Sequence, residues 1–173
     1  MRDLPRMPRH RATRYLLSLL ILLAVPVSAQ DRVSIGELSD LDRGYMTQQR
    51  ASIDDIARRQ LGQGFTGQKD RDLDLLQRIL DRDLVRPDQI RELQAMGLIL
   101  GDLLAEELGM HWVVYEDKLG RSRALRYRET DNYLFPMTMI SRRQEAANQT
   151  SVREIYQSAV DAITPYLTPL PFQ

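Results

Sequence analysis

Residues 87–108 read PDQIRELQAMGLILGDLLAEEL, and this stretch decides the fold. Its apolar residues recur every three or four positions, which predicts a helix, and its middle is apolar nearly all round. A helix of that kind normally forms the buried centre of a domain. Gly97 and Gly101 lie four residues apart on one face, so we expect another element to approach closely there. Pro87 suits the first turn of this helix, and Gly109 suits its end.

Two further helices are predicted before the central one. Residues 41–61 carry apolar side chains at loose helical spacing amid many charges, which is typical of an exposed helix with one buried face. Glycine at position 62 is expected to end it. Residues 70–84 show a clearer stripe of leucines at positions 73, 76, 80 and 84, and this stripe predicts a second helix.

The pattern changes to strands after the central helix. Residues 111–116 are rich in aromatic and β-branched side chains, 117–120 predict a turn, and 121–128 predict the returning strand. Residues 134–140 predict a third strand, and Pro136 indicates that it lies at a sheet edge or carries a bulge. We therefore expect a three-stranded antiparallel meander.

A capping box at Ser151–Glu154 predicts the start of a last helix, which Pro165 ends. The order of the elements predicts an α+β fold. It has N-terminal helices with a buried central helix, a three-stranded antiparallel meander, and a C-terminal helix packed on one sheet face.

The first 29 residues have the layout of a cleavable secretory signal peptide. Five arginines and one acid precede an apolar run at 15–25, and Val27-Ser28-Ala29 offers small residues at a cleavage site. We expect cleavage after Ala29 and a periplasmic or secreted protein with no membrane span. The apolar run is shorter than the roughly 20 residues of a spanning helix, although an uncleaved anchor is the alternative. With no cysteine in the chain, a lipid-modified cysteine is excluded.

The remaining residues predict one domain. A polar tether is expected at 30–40, a single α+β domain at 41–167 and a tail at 168–173. The whole chain carries 24 basic and 24 acidic side chains, so without residues 1–29 the acids exceed the bases by four. Such a charge disfavours nucleic acid as a partner, because phosphate backbones attract a basic excess.

Several chemistries find no support in the sequence. One histidine, His111, lies beyond residue 29, so we expect no metal centre and interpret His111 as structural. A serine–histidine catalytic arrangement lacks its Gly-x-Ser-x-Gly motif. Residues 62–67 read GQGFTG and match the dinucleotide fingerprint, but they follow a polar helix instead of a buried strand, so we interpret them as a loop between helices. No cofactor and no catalytic residue are predicted.

Charged residues suggest two kinds of site. Asp102, Glu106, Glu116 and Asp117 are candidates for paired acid and base catalysis, although charged residues at helix ends and turns are usually only solvated. Arginines cluster around the meander at positions 121, 123, 126, 128, 142 and 143. Alternation places Arg121 and Arg123 on one face and the next two on the other. The cluster suits an anionic ligand or an acidic protein, and pairing with Glu116, Asp117 and Glu129 is the alternative.

Several motifs together resemble a known bacterial family. They are LQAMGLILGD at 93–102, WVV at 112–114 and LFPMTMISRR at 134–143. The sequence is similar over residues 61–156 to the domain-of-unknown-function family 3806. This resemblance implies a small bacterial domain, often exported and without an established activity. No catalytic residues follow from it.

The polar residues of these motifs form the predicted site for a ligand or partner: Asp102, Trp112, Asp117, Arg121, Thr138 and Arg142. Each also suits a buried contact between helix and sheet. The first hypothesis is a non-catalytic binding or interaction module with a protein partner in the cell envelope. The alternatives are an envelope hydrolase that uses paired carboxylates, and a structural homodimer formed through the helix at 41–61.

Overall fold

A computed structural model describes residues 33–167 of the chain. The signal peptide expected at 1–29 and the tail expected at 168–173 lie outside the described residues. The helices are α1 (Asp40–Leu61), α2 (Lys69–Asp81), α3 (Ile90–Leu108), α4 (Met139–Glu145) and α5 (Val152–Ile163), with 3₁₀ turns at Pro136–Thr138 and Thr164–Tyr166. The strands are β1 (Ser34–Gly36), β2 (Met110–Asp117), β3 (Gly120–Tyr127) and β4 (Tyr133–Leu134). None of the helices within these bounds is long and apolar enough to cross a membrane.

The α+β fold is confirmed, and α3 is its buried centre. Leu93, Met96, Leu100 and Leu104 are completely inaccessible to solvent. The helix packs against α1, α5 and the hairpin of β2 and β3. The C-terminal helix α5 packs mainly against α2 and α3, instead of on a sheet face as predicted. Each fully buried leucine or methionine contributes about 1.5–3 kcal/mol relative to an exposed one, so this helix holds the layers together.

The predicted glycine ends of α1 and α3 are confirmed. Gly62 and Gly109 follow α1 and α3 with φ of 68° and 61°, the left-handed conformation in which glycine avoids a clash of a β-carbon. In contrast, α2 ends at Asp81 instead of Leu84, and α3 begins at Ile90, so Pro87 precedes the helix instead of lying in its first turn. At the start of α5, Ser151 and Glu154 form the expected capping box. An equivalent box at Ser39 begins α1.

The sheet has four strands in the order β1-β2-β3-β4, instead of the three that were predicted. The hairpin has the predicted turn, with Asp117 opposite Gly120. The additional strand is β1, where Ser34 lies opposite Glu116. It falls within the range predicted as a polar tether. Its three residues are too few for a period-two pattern, so only pairing with β2 defines it.

The predicted strand at 134–140 was wrong for most of its length. The strand β4 covers Tyr133–Leu134 alone, and the chain then turns into a 3₁₀ helix and α4. Pro136 has no N–H for a sheet ladder, and its fixed φ suits the first turn of a helix. The pattern of residues 134–140 was therefore wrongly interpreted as that of a strand.

The two glycines of α3 hold this turn in place, as their spacing predicted. A β-carbon on Gly97 would lie 2.5 Å from the carbonyl oxygen of Pro136 and 2.7 Å from the Cα of Met137. A β-carbon on Gly101 would overlap the indole ring of Trp112. Since backbone cannot yield as a flexible side chain can, the missing side chains set how closely the 3₁₀ turn approaches α3.

Candidate functional site

A cleft of about 630 Å³ lies beside the tip of the β2–β3 hairpin. The hairpin forms one wall, α1 and α3 contribute Tyr45 and Gln94, and the 3₁₀ turn with α4 closes one end. The volume falls within the range of ligand sites in proteins, about 300–1,000 Å³. Its lining residues are Tyr45, Gln94, Tyr115, Asp117, Leu119, Gly120, Arg121, Ser122, Arg123, Phe135, Met137, Thr138 and Arg142.

The cleft lies where β4 would continue if it were longer. The short strand pairs with Leu125 and Arg126 of β3 and then ends. No described strand therefore pairs with Gly120–Ala124 on the side away from β2. The turn at Pro136, anchored by the glycines of α3, removes the chain from that position and leaves a sheet edge open.

Two arginines of the cleft are fixed by one buried carboxylate, which we call the Asp42 junction. Arg121 donates from Nη1 and Nη2 to Asp42 at 2.9 and 2.6 Å, and Arg123 donates from Nε at 3.1 Å. The side chain of Asp42 is 2% exposed, whereas that of Arg121 is 44% exposed. The hydrogen bond from Arg121 is the main reason why the pKa of Asp42 is held well below its usual range, against the effect of burial. Two cations share one anion, so the junction has a net positive charge.

The remaining lining residues add aromatic surface and one further cation. The guanidinium of Arg123 lies over the ring of Tyr45, 4.4 Å from its centroid. On the other face of the hairpin, Tyr115 contacts Phe135 edge-to-face with ring centroids 5.2 Å apart. Arg142 of α4 is exposed, and within residues 33–167 its guanidinium has no hydrogen-bond or ion-pair partner. It also borders a second hollow of about 260 Å³, which Tyr133 and Arg143 line as well.

Four of the six predicted site residues line this cleft: Asp117, Arg121, Thr138 and Arg142. Asp117 accepts a hydrogen bond from the backbone N–H of Leu119 at 2.8 Å and so stabilises the hairpin turn. Thr138 donates to the carbonyl oxygen of Phe135 at 3.3 Å and so stabilises the 3₁₀ turn. These two side chains shape the cleft, while the two arginines give it charge.

The other two predicted residues, Asp102 and Trp112, lie together outside the cleft in what we call the Asp102 junction. Asp102 accepts two hydrogen bonds from Arg50, at 2.6 Å from Nε and 2.7 Å from Nη2. The indole Nε1 of Trp112 donates to the same carboxylate at 3.0 Å. One cation meets one anion here, and the contacts join α1, α3 and β2.

The structure adds residues to the site that the sequence motifs did not identify. Asp42 and Tyr45 belong to α1, which was expected to be an exposed helix with one buried face and was not predicted to contribute to this site. The signal for Asp42 was the pattern Ser39-x-x-Asp42, which marks a helix start. Its pairing with Arg121, 79 positions later, has no local signal. Of the arginine pairings expected across strands, Arg126 does bind Glu129 at 2.7 Å, but three residues along the chain, and Arg121 and Arg123 bind Asp42 instead.

The loop at residues 62–67 joins α1 to α2, as predicted, and three successive backbone donors at its end are already bound. Asp54 accepts from the N–H of Phe65 at 2.7 Å, and Asp72 accepts from the N–H groups of Thr66 and Gly67 at 3.0 and 2.7 Å. A phosphate cradle needs such N–H groups to be unoccupied. These donors therefore stabilise the loop.

The lining residues suit binding better than catalysis. Of the four carboxylates considered for catalysis, Asp117 alone lines the cleft, and no histidine does so. Among residues 33–167, no group of three or more histidine or acidic side chains is placed to hold a metal ion. Guanidinium groups beside aromatic rings can instead bind an anionic group and pack against its apolar neighbours.

Comparisons with known proteins support the family and the fold. Residues 72–156 match the family model described as a domain of unknown function (DUF3806), as the motifs suggested. No curated protein matches the chain. A crystal structure of a protein from Bacteroides thetaiotaomicron VPI-5482 is similar, with a TM-score of 0.68 and 20% sequence identity over 78% of this chain. The similarity spans 50% of that longer protein and shows a shared fold alone.

Proposed function

Residues 72–156 of this chain form a domain of the DUF3806 family, and we propose that the protein is an exported, non-catalytic module that binds an anionic ligand in the hairpin cleft. One observation carries the proposal: Arg142 has no partner among the described residues and borders a cleft with two further arginines. A cation of this kind offers its hydrogen-bond donors to a carboxylate or another anion. The arginine-rich start of the chain and its apolar run support export to the cell envelope.

The Asp42 junction also supports binding. Arg121 and Arg123 are oriented by a buried carboxylate before any ligand arrives, which reduces the entropy lost on binding. The junction holds two cations and one anion, and Glu116 of β2, which lies opposite Arg121, offsets only part of the remaining positive charge. Oriented and under-neutralised guanidinium groups are typical of sites that recognise carboxylates.

Titration of the purified protein with citrate, followed by backbone amide NMR, tests this proposal. We expect shifts to concentrate at the hairpin tip and at the start of α4. Arg142→Gln removes the unpaired cation and should weaken citrate binding about tenfold, since a hydrogen bond to a charged group contributes about 1.5–3 kcal/mol. The matched control is Arg71→Gln, which changes an exposed arginine of α2 outside the cleft. Equal weakening by both substitutions, or shifts spread over all exposed arginines, would contradict the proposed site.

A further inference from the structure

Besides its charge, the cleft has a second feature, which is the open edge of β3. Gly120–Ala124 has a strand partner on the β2 side and none among the described residues on the other. Unpaired strand edges present a row of N–H and C=O groups that can pair with another chain. Here the row faces the cleft, and the nearby 3₁₀ turn at Pro136–Thr138 forms no strand pair with it.

We propose that the cleft binds an extended acidic peptide, which adds to the sheet as a strand beside Gly120–Ala124. The proposal deepens the function proposed above and rests on it. Strand addition of this kind is an established mode of peptide recognition, in which backbone hydrogen bonds give affinity and alternate side chains give specificity.

The dimensions of the cleft fit such a strand. A strand residue rises about 3.3 Å, lies about 4.8 Å from its neighbour and spans about 10 Å between packed layers, so it occupies about 160 Å³. The volume of about 630 Å³ therefore accommodates about four strand residues. The open edge from Gly120 to Ala124 is about 13 Å long at the same rise, which again matches about four residues.

The two faces of the edge differ in chemistry, and this difference specifies the peptide. Arg121 and Arg123 project on the face shared with Asp42, together with Tyr45. Side chains on the opposite face of the hairpin include Tyr115 and Ser122. Because side chains of a strand alternate between faces, the matching peptide alternates acidic residues with apolar ones.

The same charges disfavour a second copy of this chain as the occupant. Pairing two identical β3 edges would bring the arginines at 121 and 123 of both copies close together. Like charges at a strand edge oppose such pairing, and natural sheets use them to prevent it. An acidic partner reverses the sign of this interaction.

Backbone methylation of a synthetic peptide tests the inference. The probe is a capped heptapeptide of alternating glutamate and valine, titrated into the purified protein and followed by calorimetry and amide NMR. In a strand the N–H groups of all glutamates point to one edge and those of all valines to the other. One peptide carries N-methyl groups on the glutamates, and its matched control carries them on the valines.

Strand addition predicts a specific pattern of affinities. The unmodified peptide should bind at least tenfold more tightly than citrate, and one methylated peptide should lose at least tenfold while the other keeps its affinity. Amide exchange at residues 120–124 should slow in the bound state. Equal affinities of the two methylated peptides, or a peptide that binds no more tightly than citrate, would overturn the inference. The proposed function would still hold in that case if citrate binding depends on Arg142. Slowed exchange that rises with protein concentration alone would identify self-association and overturn the inference as well.

Discussion

Both junctions join arginine to a carboxylate, but they differ in their balance of charges and in their position relative to the cleft. At the Asp102 junction, one arginine and one indole satisfy one carboxylate, and the contacts join α1, α3 and β2. At the Asp42 junction, two arginines share a carboxylate that is almost fully buried, and both guanidiniums border the cleft. The balanced Asp102 junction joins elements of the fold, whereas the Asp42 junction, beside an open strand edge, has one more cation than anion, which is why we propose it as part of the binding site.

Position on the sheet explains why the two junctions differ. Trp112 lies opposite Leu125, which in turn pairs with Leu134 of β4, so β3 has a neighbour on both sides there. Arg121 and Arg123 lie beyond the end of β4, where the edge is open. The hairpin of β2 and β3 thus contributes a structural contact at one end and the proposed binding surface at the other, and three substitutions test that division.

The largest effect is expected from Asp42→Asn. This change leaves two arginines around a neutral side chain and weakens the capping box of α1, so we expect it to destabilise the protein by about 3 kcal/mol at pH 7. Urea unfolding measures the difference. Asp40→Asn is the control, because Asp40 is 99% exposed and forms a surface ion pair with Arg43 that contributes less than about 1 kcal/mol.

The pH dependence of that difference provides a second measurement. The pKa of Asp42 is lower in the folded protein than the value of about 4 expected in the unfolded chain, chiefly through its hydrogen bond with Arg121. Its stabilising effect is therefore complete above about pH 4 and is lost as the pH falls further toward the folded pKa. The wild type and Asp42→Asn should converge below about pH 4. A constant difference down to pH 2.5 would mean that the charge of Asp42 does not stabilise the junction.

A smaller effect is expected from Gly97→Ala, which pushes the 3₁₀ turn away from α3. The new β-carbon would meet backbone atoms of Pro136 and Met137, and we expect a loss of about 2 kcal/mol. Because the same turn carries Thr138 and leads to Arg142, citrate binding should weaken as well. Gly44→Ala is the control, since a β-carbon there meets nothing within 4 Å and should stabilise α1 by about 0.5–1 kcal/mol. Unchanged citrate affinity in Gly97→Ala would show that the turn does not shape the cleft.

Some elements of the fold could be predicted from the sequence and others could not. The helices and the hairpin carry local signals, such as the leucine stripe of α2, the glycine after α3 and the box at Ser151, and these were predicted correctly. The strand expected at 134–140 failed because Pro136 and the approach to Gly97 outweigh the strand preference of its neighbours. A tertiary contact therefore determines the conformation of this segment, and the periodicity of a sequence contains no information about such contacts.

The site divides in the same way. Asp117, Arg121, Thr138 and Arg142 lie in motifs near one hairpin and one turn, so grouping them by sequence also grouped them in space. Asp102 and Trp112 belong to the same motifs, yet they bind each other and Arg50 outside the cleft. Asp42 was missed because its partners lie 79 and 81 positions away. Local signals thus identified the residue types, while long-range pairing determined which of them are available to a ligand.

The smallest effect on stability is expected from Asp102→Ala, and it tests whether the Asp102 junction is structural only. Removing the carboxylate leaves the guanidinium of Arg50 and the indole of Trp112 without this acceptor, at a cost of about 1 kcal/mol because both are partly exposed. Trp112 is the single tryptophan of the chain, so its fluorescence reports the loss directly.

Citrate affinity should remain within twofold of the wild type, because neither Asp102 nor Trp112 lines the cleft. Asp55→Asn, which breaks an exposed pair with Arg59, should change neither the fluorescence nor the affinity. If Asp102→Ala weakened citrate binding as much as Arg142→Gln does, the two junctions would act as one site and the division drawn between them would be wrong.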